Sequence, residues 1–459
     1  MRILIAAEIY HPHTTGSAYA TYRLAHGLAS RGYQIFVVSS GHGPRIEKIK
    51  EDRIEVFRIS SVPIPFHPHY YFSPFAYFFI PSMGEEIKPD IIHVQDHFFI
   101  CWAFIEYARK ASIPVIGTNH FHPDNLVHYL NLPPKIEDKL RALAWKHFKG
   151  VFGQVDVITT PSKTACKIMM ENSLKQEIQV ISNGIDLNKF KPRPAHEVQE
   201  VIKKYRMEGE DKKILFVGRL EKEKNIDVLI KALKLVNQKM MAKLFLCGFG
   251  SEENRLKELT RRSGLEDKVL FLGRVPDEDL MKIYNGVNLF ATASTVELQS
   301  LVVMEAMASG LPVVSSESMA LPELVVDGVN GFTFPHGDSR IAADRIMKIL
   351  SNPELAKQMG QKSLEFIQNH DFEKTLDAYE RLYSQLAGHK KNNKLSPGWF
   401  LIQKLILNFL LLGGYFFSRM MDLPQSPFYL KTNSSQDRIE LTQLSRRGKK
   451  LPFVKYRKK

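Results

Sequence analysis

Short apolar runs alternate with stretches of helical periodicity along most of this chain, and that alternation constrains the fold more than any other feature. Ile3 to Ala7 is followed by apolar residues at helical spacing from Thr21 to Leu28, a stop at Arg31-Gly32, and a second run, Ile35 to Val38. The rhythm continues at Asp90-Ile91-Ile92-His93-Val94, Pro114-Val115-Ile116-Gly117 and Asp156-Val157-Ile158-Thr159. Near-continuous apolar strands that alternate with helices predict parallel sheets covered on both faces. A second cycle opens at Lys213 to Gly218. It runs through a helix over Ile226 to Val236 and strands at Lys243–Cys247, Val269–Leu272, Asn288–Ala291 and Pro312–Ser315. Between the cycles, Lys191 to Glu210 is charged, contains prolines and lacks strand signals, so the domain boundary is placed there.

A chain of 459 residues is long enough for two such domains without disulfides or a structural metal. Its three cysteines, Cys101, Cys166 and Cys247, are odd in number and far apart, which fits a reducing compartment. Met1-Arg2 and the apolar run ending at Glu8 read as an opening strand, not as a signal peptide.

The net charge of +14 is unevenly placed. Residues 388–459 hold 15 Lys+Arg and 3 Asp+Glu, a net of +12, while residues 1–387 hold 48 basic against 46 acidic groups. A nearly neutral body argues against a nucleic-acid partner, and the charge belongs to a tail. Within that tail Gly398 to Phe417 is almost wholly apolar and flanked by Lys390, Lys391, Lys394 and Arg419. A single crossing would send one cationic flank out of the cytoplasm, so an interfacial or re-entrant helix is expected, with a spanning helix or a protein-packed one as alternatives. The basic end would add attraction to an anionic membrane surface. A second unusual stretch, Phe66 to Pro81, is crowded with Phe, Tyr, His and Pro, and reads either as core packing or as an aromatic flap for an apolar ligand.

The chemistry concentrates between Val217 and Glu305. Arg219 follows a strand end and Lys224 lies five residues later beside a helix start, a placement that suits a diphosphate. Taken alone, the same residues also read as a solvated charge run. Glu297 precedes an apolar helical run that contains Glu305, and the N–H groups of Leu298 to Leu301 are expected at that helix start. A carboxylate within an apolar helix needs a hydroxyl or a cation as partner.

Together these residues resemble a known family. Gly218-Arg219-Leu220, Glu223-Lys224-Asn225, and Glu297 and Glu305 at E-x7-E spacing are similar to the family 4 retaining glycosyltransferases. Asn183-Gly184-Ile185-Asp186, Gly248-Phe249-Gly250 and the run Ala306 to Val314 extend the resemblance over Met1 to about Leu386. It implies the GT-B fold, two Rossmann-like doubly wound α/β domains facing across a cleft, here with a membrane-associated helical tail. The domains would be 1–195 on the acceptor side, 205–370 for the nucleotide sugar, a helix over 371–387 returning to the first domain, and the tail 388–459. Arg219 and Lys224 would neutralise the donor diphosphate, and Glu305 would hold the ribose hydroxyls. Glu297, with the backbone of Leu298, Gln299 and Ser300, would hold the transferred sugar. His120 would be the active-site histidine, and the Gly16 loop would approach the diphosphate, although Thr15-Gly16 departs from the family's paired glycines.

By the same resemblance the co-substrate is a nucleotide-diphosphate sugar, with no cofactor and no metal. The pairs His11/His13, His67/His69 and His120/His122 add no zinc-type ligand set. Segments around Glu297 and His120 are similar to diacylglycerol glucosyltransferases and phosphatidylinositol mannosyltransferases. The expected reaction is hexose transfer to a membrane lipid at the cytoplasmic face of the cell membrane. Transfer to a soluble acceptor, sugar-nucleotide epimerisation and a non-catalytic tether are the alternatives.

Overall fold

The computed structural model describes residues 1–12, 15–51, 53–64, 67–123 and 134–387. The apolar tail segment Gly398 to Phe417 and the basic end lie outside these residues. No helix among the described residues is long and apolar enough to cross a membrane.

The first domain is built on an eight-stranded sheet. Its strands are β1 (Arg2–Ala6), β2 (Gln34–Ser40), β3 (Glu47–Glu51), β4 (Ile54–Ile59), β7 (Ile91–Val94), β8 (Val115–Thr118), β9 (Val157–Thr160) and β10 (Glu177–Val180). They lie in the order β10-β9-β8-β7-β1-β2-β4-β3, and only β3 runs antiparallel to its neighbour. The parallel centre is buried on both faces, which is why its strands are mostly apolar, with His93, Thr159 and Thr160 as buried polar exceptions. A separate hairpin pairs β5 (Val62–Ile64) with β6 (His67–Phe72). The aromatic stretch therefore has two fates. The helix Ala76–Ile87 buries Ala76, Ile80, Met83 and Ile87, while Phe75 and Phe78 are exposed.

The second domain is built on a six-stranded parallel sheet of β11 (Lys212–Val217), β12 (Ala242–Cys247), β13 (Val269–Gly273), β14 (Leu289–Thr292), β15 (Val313–Ser316) and β16 (Gly331–Phe334). The order β13-β12-β11-β14-β15-β16 changes direction at β11, so the switch point lies at the carboxyl ends of β11 and β14. Ligands of doubly wound sheets bind at such a switch point. The charged stretch after Lys191 contains the helix Ala195–Lys204, whose Val201 enters the second domain's core beside Met207 and Leu215.

The chain then returns. The helix Phe372–Ala387 packs Leu376, Tyr379, Leu382 and Tyr383 into the core around Ile3, Ile5 and Ile116 of the first sheet. Arg31, at the end of the helix Gly16–Ser30, clamps the returning helix through Glu373, Asp377 and Glu380. Deeper in, His93 on β7 bridges Tyr383 Oη at 2.7 Å and Thr118 Oγ1 at 2.5 Å. Burial pushes His93 down to about 3, so it stays a neutral link. The variant Tyr383→Phe should leave a His93 ring nitrogen without its partner and cost about 1–2 kcal/mol in urea unfolding. Turnover at saturating substrate should change far less than stability, because Tyr383 sits on the returning helix and bonds none of Arg219, Lys224, Glu297 or Glu305.

Candidate active site

Two neighbouring strand ends build the cation loop. Gly218, with φ of 149°, ends β11, and Gly248, with φ of 139°, ends β12. A Cβ on Gly248 would stand 1.9 Å from the Gly218 carbonyl oxygen, and one on Gly250 would stand 2.3 Å from that of Leu220. The two loops touch backbone to backbone, and Leu220 N–H donates to the Phe249 carbonyl at 2.9 Å. Gly248-Phe249-Gly250 is therefore a packing requirement of Gly218-Arg219-Leu220.

The next turn places Lys224. Lys222–Lys224 is a single 3-10 turn that ends at Asn225, which takes a left-handed φ of 46°. Asn225 Nδ2 donates to the carbonyls of Glu223 and Ala293, and Thr295 N–H donates to Glu223 O at 3.0 Å. The turn is thus fastened to the loop after β14. Lys224 Nζ meets Glu297 Oε1 at 2.5 Å and Ser294 Oγ at 3.4 Å. Arg219 pairs with Glu223 at 2.9 Å. The sequence singled out Arg219, Lys224 and Glu297, but the Lys224–Glu297 pair and the anchoring role of Asn225 come only from the fold.

The helix of Glu305 begins at Leu301 with Ser300 as N-cap. The N–H groups left open at a helix start are therefore those of Ser300 to Val303, two residues beyond the expected Leu298 to Leu301. Leu298 is buried. The Gln299 side chain turns toward the other domain, where its Oε1 accepts from Asn183 N–H at 2.8 Å and its Nε2 donates to Ser182 Oγ at 3.0 Å. It fastens the interdomain junction. Glu305 is 6% exposed and accepts from Tyr284 Oη at 2.8 Å, which supplies the hydroxyl partner that its burial requires. Desolvation pushes its carboxyl up to about 7, opposed by Tyr284 and by Arg23 across the cleft.

From the first domain come Gly16 and His120. Gly16 opens its helix with Thr15 as N-cap, Thr15 Oγ1 accepting from Ala18 N–H at 3.1 Å. A Cβ on Gly16 would meet nothing within 4 Å, so the glycine borders open space. The cap explains why threonine replaces a first glycine. His120, after β8, bonds Gln95 Oε1 at 2.9 Å, and burial pushes its imidazole down to about 4. It is a neutral ring whose orientation Gln95 sets. Nothing in the sequence pointed to Gln95. Among the described residues, no group of three or more His, Cys, Asp and Glu side chains is placed to hold a metal ion.

Two doubly wound domains, with Arg219, Lys224 and a helix start beside the switch point of the second sheet, have the GT-B architecture. Two family models match in order, one described as Glycosyltransferase Family 4 over residues 14–189 and one as Glycosyl transferases group 1 over 197–366. The chain belongs to glycosyltransferase family 4. It is 26% identical over 382 residues to the alpha-monoglucosyldiacylglycerol synthase of Streptococcus pneumoniae, covering 83% of this chain and 85% of that protein. The N-acetyl-alpha-D-glucosaminyl L-malate synthase of Bacillus anthracis is 25% identical, covering 86% of this chain and all of the other. The structure of Anabaena HepE in complex with UDP-glucose superposes with a TM-score of 0.67 at 19% identity, over 84% of this chain and 100% of that one.

Proposed function

We propose that this enzyme transfers a hexose from a nucleotide-diphosphate sugar to a membrane lipid of the diacylglycerol class, with retention at the anomeric carbon and without a metal. One observation carries the donor half. A buried-edge cation, Lys224, is held by its turn and by Glu297 beside the Ser300 helix start, where the leaving diphosphate develops charge. As the glycosidic bond to phosphate breaks, the sugar becomes oxocarbenium-like and the leaving oxygen gains negative charge. Arg219, Lys224 and the open N–H groups of Ser300 to Val303 form a preorganised field for that charge, the role a metal fills elsewhere. Glu305 would take the ribose hydroxyls, Glu297 and the Leu298–Ser300 backbone the sugar, and His120 a sugar hydroxyl. Gly16 leaves room for the diphosphate.

Likeness to a monoglucosyldiacylglycerol synthase over most of both chains supports the lipid acceptor. The apolar segment and basic tail support delivery to the cytoplasmic face of an anionic membrane, with the tail peripheral or re-entrant. The malate-glycosylating relative supports the second reading, a soluble acceptor. Incubating the full chain with UDP-, GDP- and ADP-sugars, total lipid extract and a soluble-acceptor panel, with and without EDTA, separates them. The expected product is an α-linked glycolipid formed at an unchanged rate in EDTA. A soluble product alone would move the assignment to the second reading. Removing 388–459 should lower recovery on anionic vesicles and glycolipid yield together, and equal yield without the tail would remove its docking role.

A further inference from the structure

The chain passes between the domains twice, at residues 182–186 after β10 and at 370–375 before the last helix. The two crossings touch backbone to backbone. Ile185 N–H donates to the His370 carbonyl at 2.7 Å, and Phe372 N–H donates to that of Ile185 at 3.0 Å. Thr375 Oγ1 adds a bond to the Ser182 carbonyl at 2.9 Å. The loop after β14 reaches this joint with one side chain. Most of that loop is held on its own domain: Glu297 pairs with Lys224, its carbonyl accepts from Ala320 N–H at 3.0 Å, and Leu298 and Ser300 are buried. Gln299 points the other way. Asn183 N–H can only donate, so the amide presents its oxygen there at 2.8 Å and its nitrogen to Ser182 Oγ at 3.0 Å. Ser182 Oγ lies in turn 2.9 Å from His370 Nδ1. Burial holds that imidazole below its ordinary pKa, so a neutral ring accepts the hydrogen bond of the serine hydroxyl. The relay runs from amide to serine to histidine and reaches both crossings.

We propose that Gln299 is a positioning residue: through Ser182 and Asn183 it ties the sugar-holding loop to the interdomain crossings, and so sets the donor's anomeric carbon against the acceptor-side domain. This rests on the reading of Glu297 and the Leu298–Ser300 backbone as the groups that hold the sugar. On the same reading the nucleotide sugar is bound by the second domain, while His120 and the acceptor lie on the first. Sugar and acceptor must then be aligned across a joint made of two single chain segments. A misplacement of about 1 Å between reacting groups can cost about a hundredfold in rate. An amide bonded at the joint itself limits that slack beside the sugar. Lys224 and Glu305 bond Glu297, Ser294 and Tyr284, not Gln299, so these nucleotide contacts stand apart from the relay.

The test measures turnover of the full chain with the nucleotide sugar and lipid extract that form product, and titrates UDP, GDP and ADP for affinity. Gln299→Met keeps the length of the side chain and removes both hydrogen bonds. It should lower kcat about thirtyfold, while the Kd of the tightest-binding nucleotide stays within about twofold. Gln299→Glu still accepts from Asn183 N–H and should be about fivefold faster than Gln299→Met. Ser182→Ala cuts the relay at its middle and should give the same split between kcat and Kd, so it serves if Gln299→Met fails to fold. The double variant should fall short of the product of the two single losses, because both changes break one linkage. Unchanged kcat in Gln299→Met, fully multiplying losses, or kcat and nucleotide affinity falling together would each overturn the role given to Gln299. Glu297→Gln reports separately on the underlying reading. Unchanged kcat and donor KM there would take the sugar off this loop and overturn both, whereas an impaired Glu297→Gln beside a silent Gln299→Met would overturn the positioning role alone.

Discussion

Replacing Lys224 with alanine should lower kcat by about a hundred- to a thousandfold, the usual cost of removing one preorganised donor from a developing charge. The donor KM should move far less, because the ground-state diphosphate is already ionised and Arg219 remains. The geometry makes the prediction sharper than a simple charge count. Lys224 is not a free surface cation, since Asn225 locks its turn to the loop after β14 and Glu297 holds its ammonium. That anchoring removes the reorganisation that a mobile lysine would need at the moment of bond breaking. The same variant strands Glu297, so part of the loss would be electrostatic repulsion of the leaving group by an unpaired carboxylate. The double variant Lys224→Ala/Glu297→Gln separates the two terms, and recovery of more than about tenfold over the single variant would assign the loss to Glu297. If Lys224→Ala kept wild-type turnover by initial-rate assay, the diphosphate would lie elsewhere.

How much of this was legible in the sequence depended on burial. Strands β1, β2, β7, β8 and β9 are sandwiched between helices, so their composition had to be apolar and they were readable. Edge strand β3 is Glu-Lys-Ile-Lys-Glu with every residue exposed, and no apolar run betrays it. The helix Ala195–Lys204 buries Val198 and Val201 alone, so a charged stretch that read as a boundary turns out to cover the second sheet. Site residues divide in the same way. Glu305 demanded a partner because it sits in an apolar run, but that the partner is Tyr284 depends on tertiary packing. Gln299 lay in the expected sugar-binding stretch, yet its amide is committed to Ser182 and Asn183 more than a hundred residues earlier. His93, Tyr383 and Gln95 carry no local signal, since His93 meets Tyr383 only when the last helix returns and Gln95 meets His120 only where β7 and β8 lie side by side.

The variant Gly248→Ala should be among the most damaging single-methyl changes in the second domain, because it bears on the fold and the cation loop at one point. Its Cβ would sit 1.9 Å from the Gly218 carbonyl oxygen, and φ of 139° is unfavourable for alanine in any case. The obstacle is backbone, fixed between two central strands, so it has no rotamer to adopt. Overpacking and backbone strain together should cost about 2–5 kcal/mol in urea unfolding. Gly264→Ala isolates one contribution, since φ is 67° there and a Cβ would meet nothing within 4 Å. It should cost about 1 kcal/mol and leave turnover unchanged. Whatever fraction of Gly248→Ala folds must push Gly218 aside, and Arg219 is the next residue. The hydrogen bond from Leu220 N–H to Phe249 O moves with it. Folded Gly248→Ala, isolated by size exclusion, should therefore still show turnover reduced by an order of magnitude or more. Full turnover per folded molecule would show that Arg219 tolerates the displacement and that its position is not critical to the leaving group.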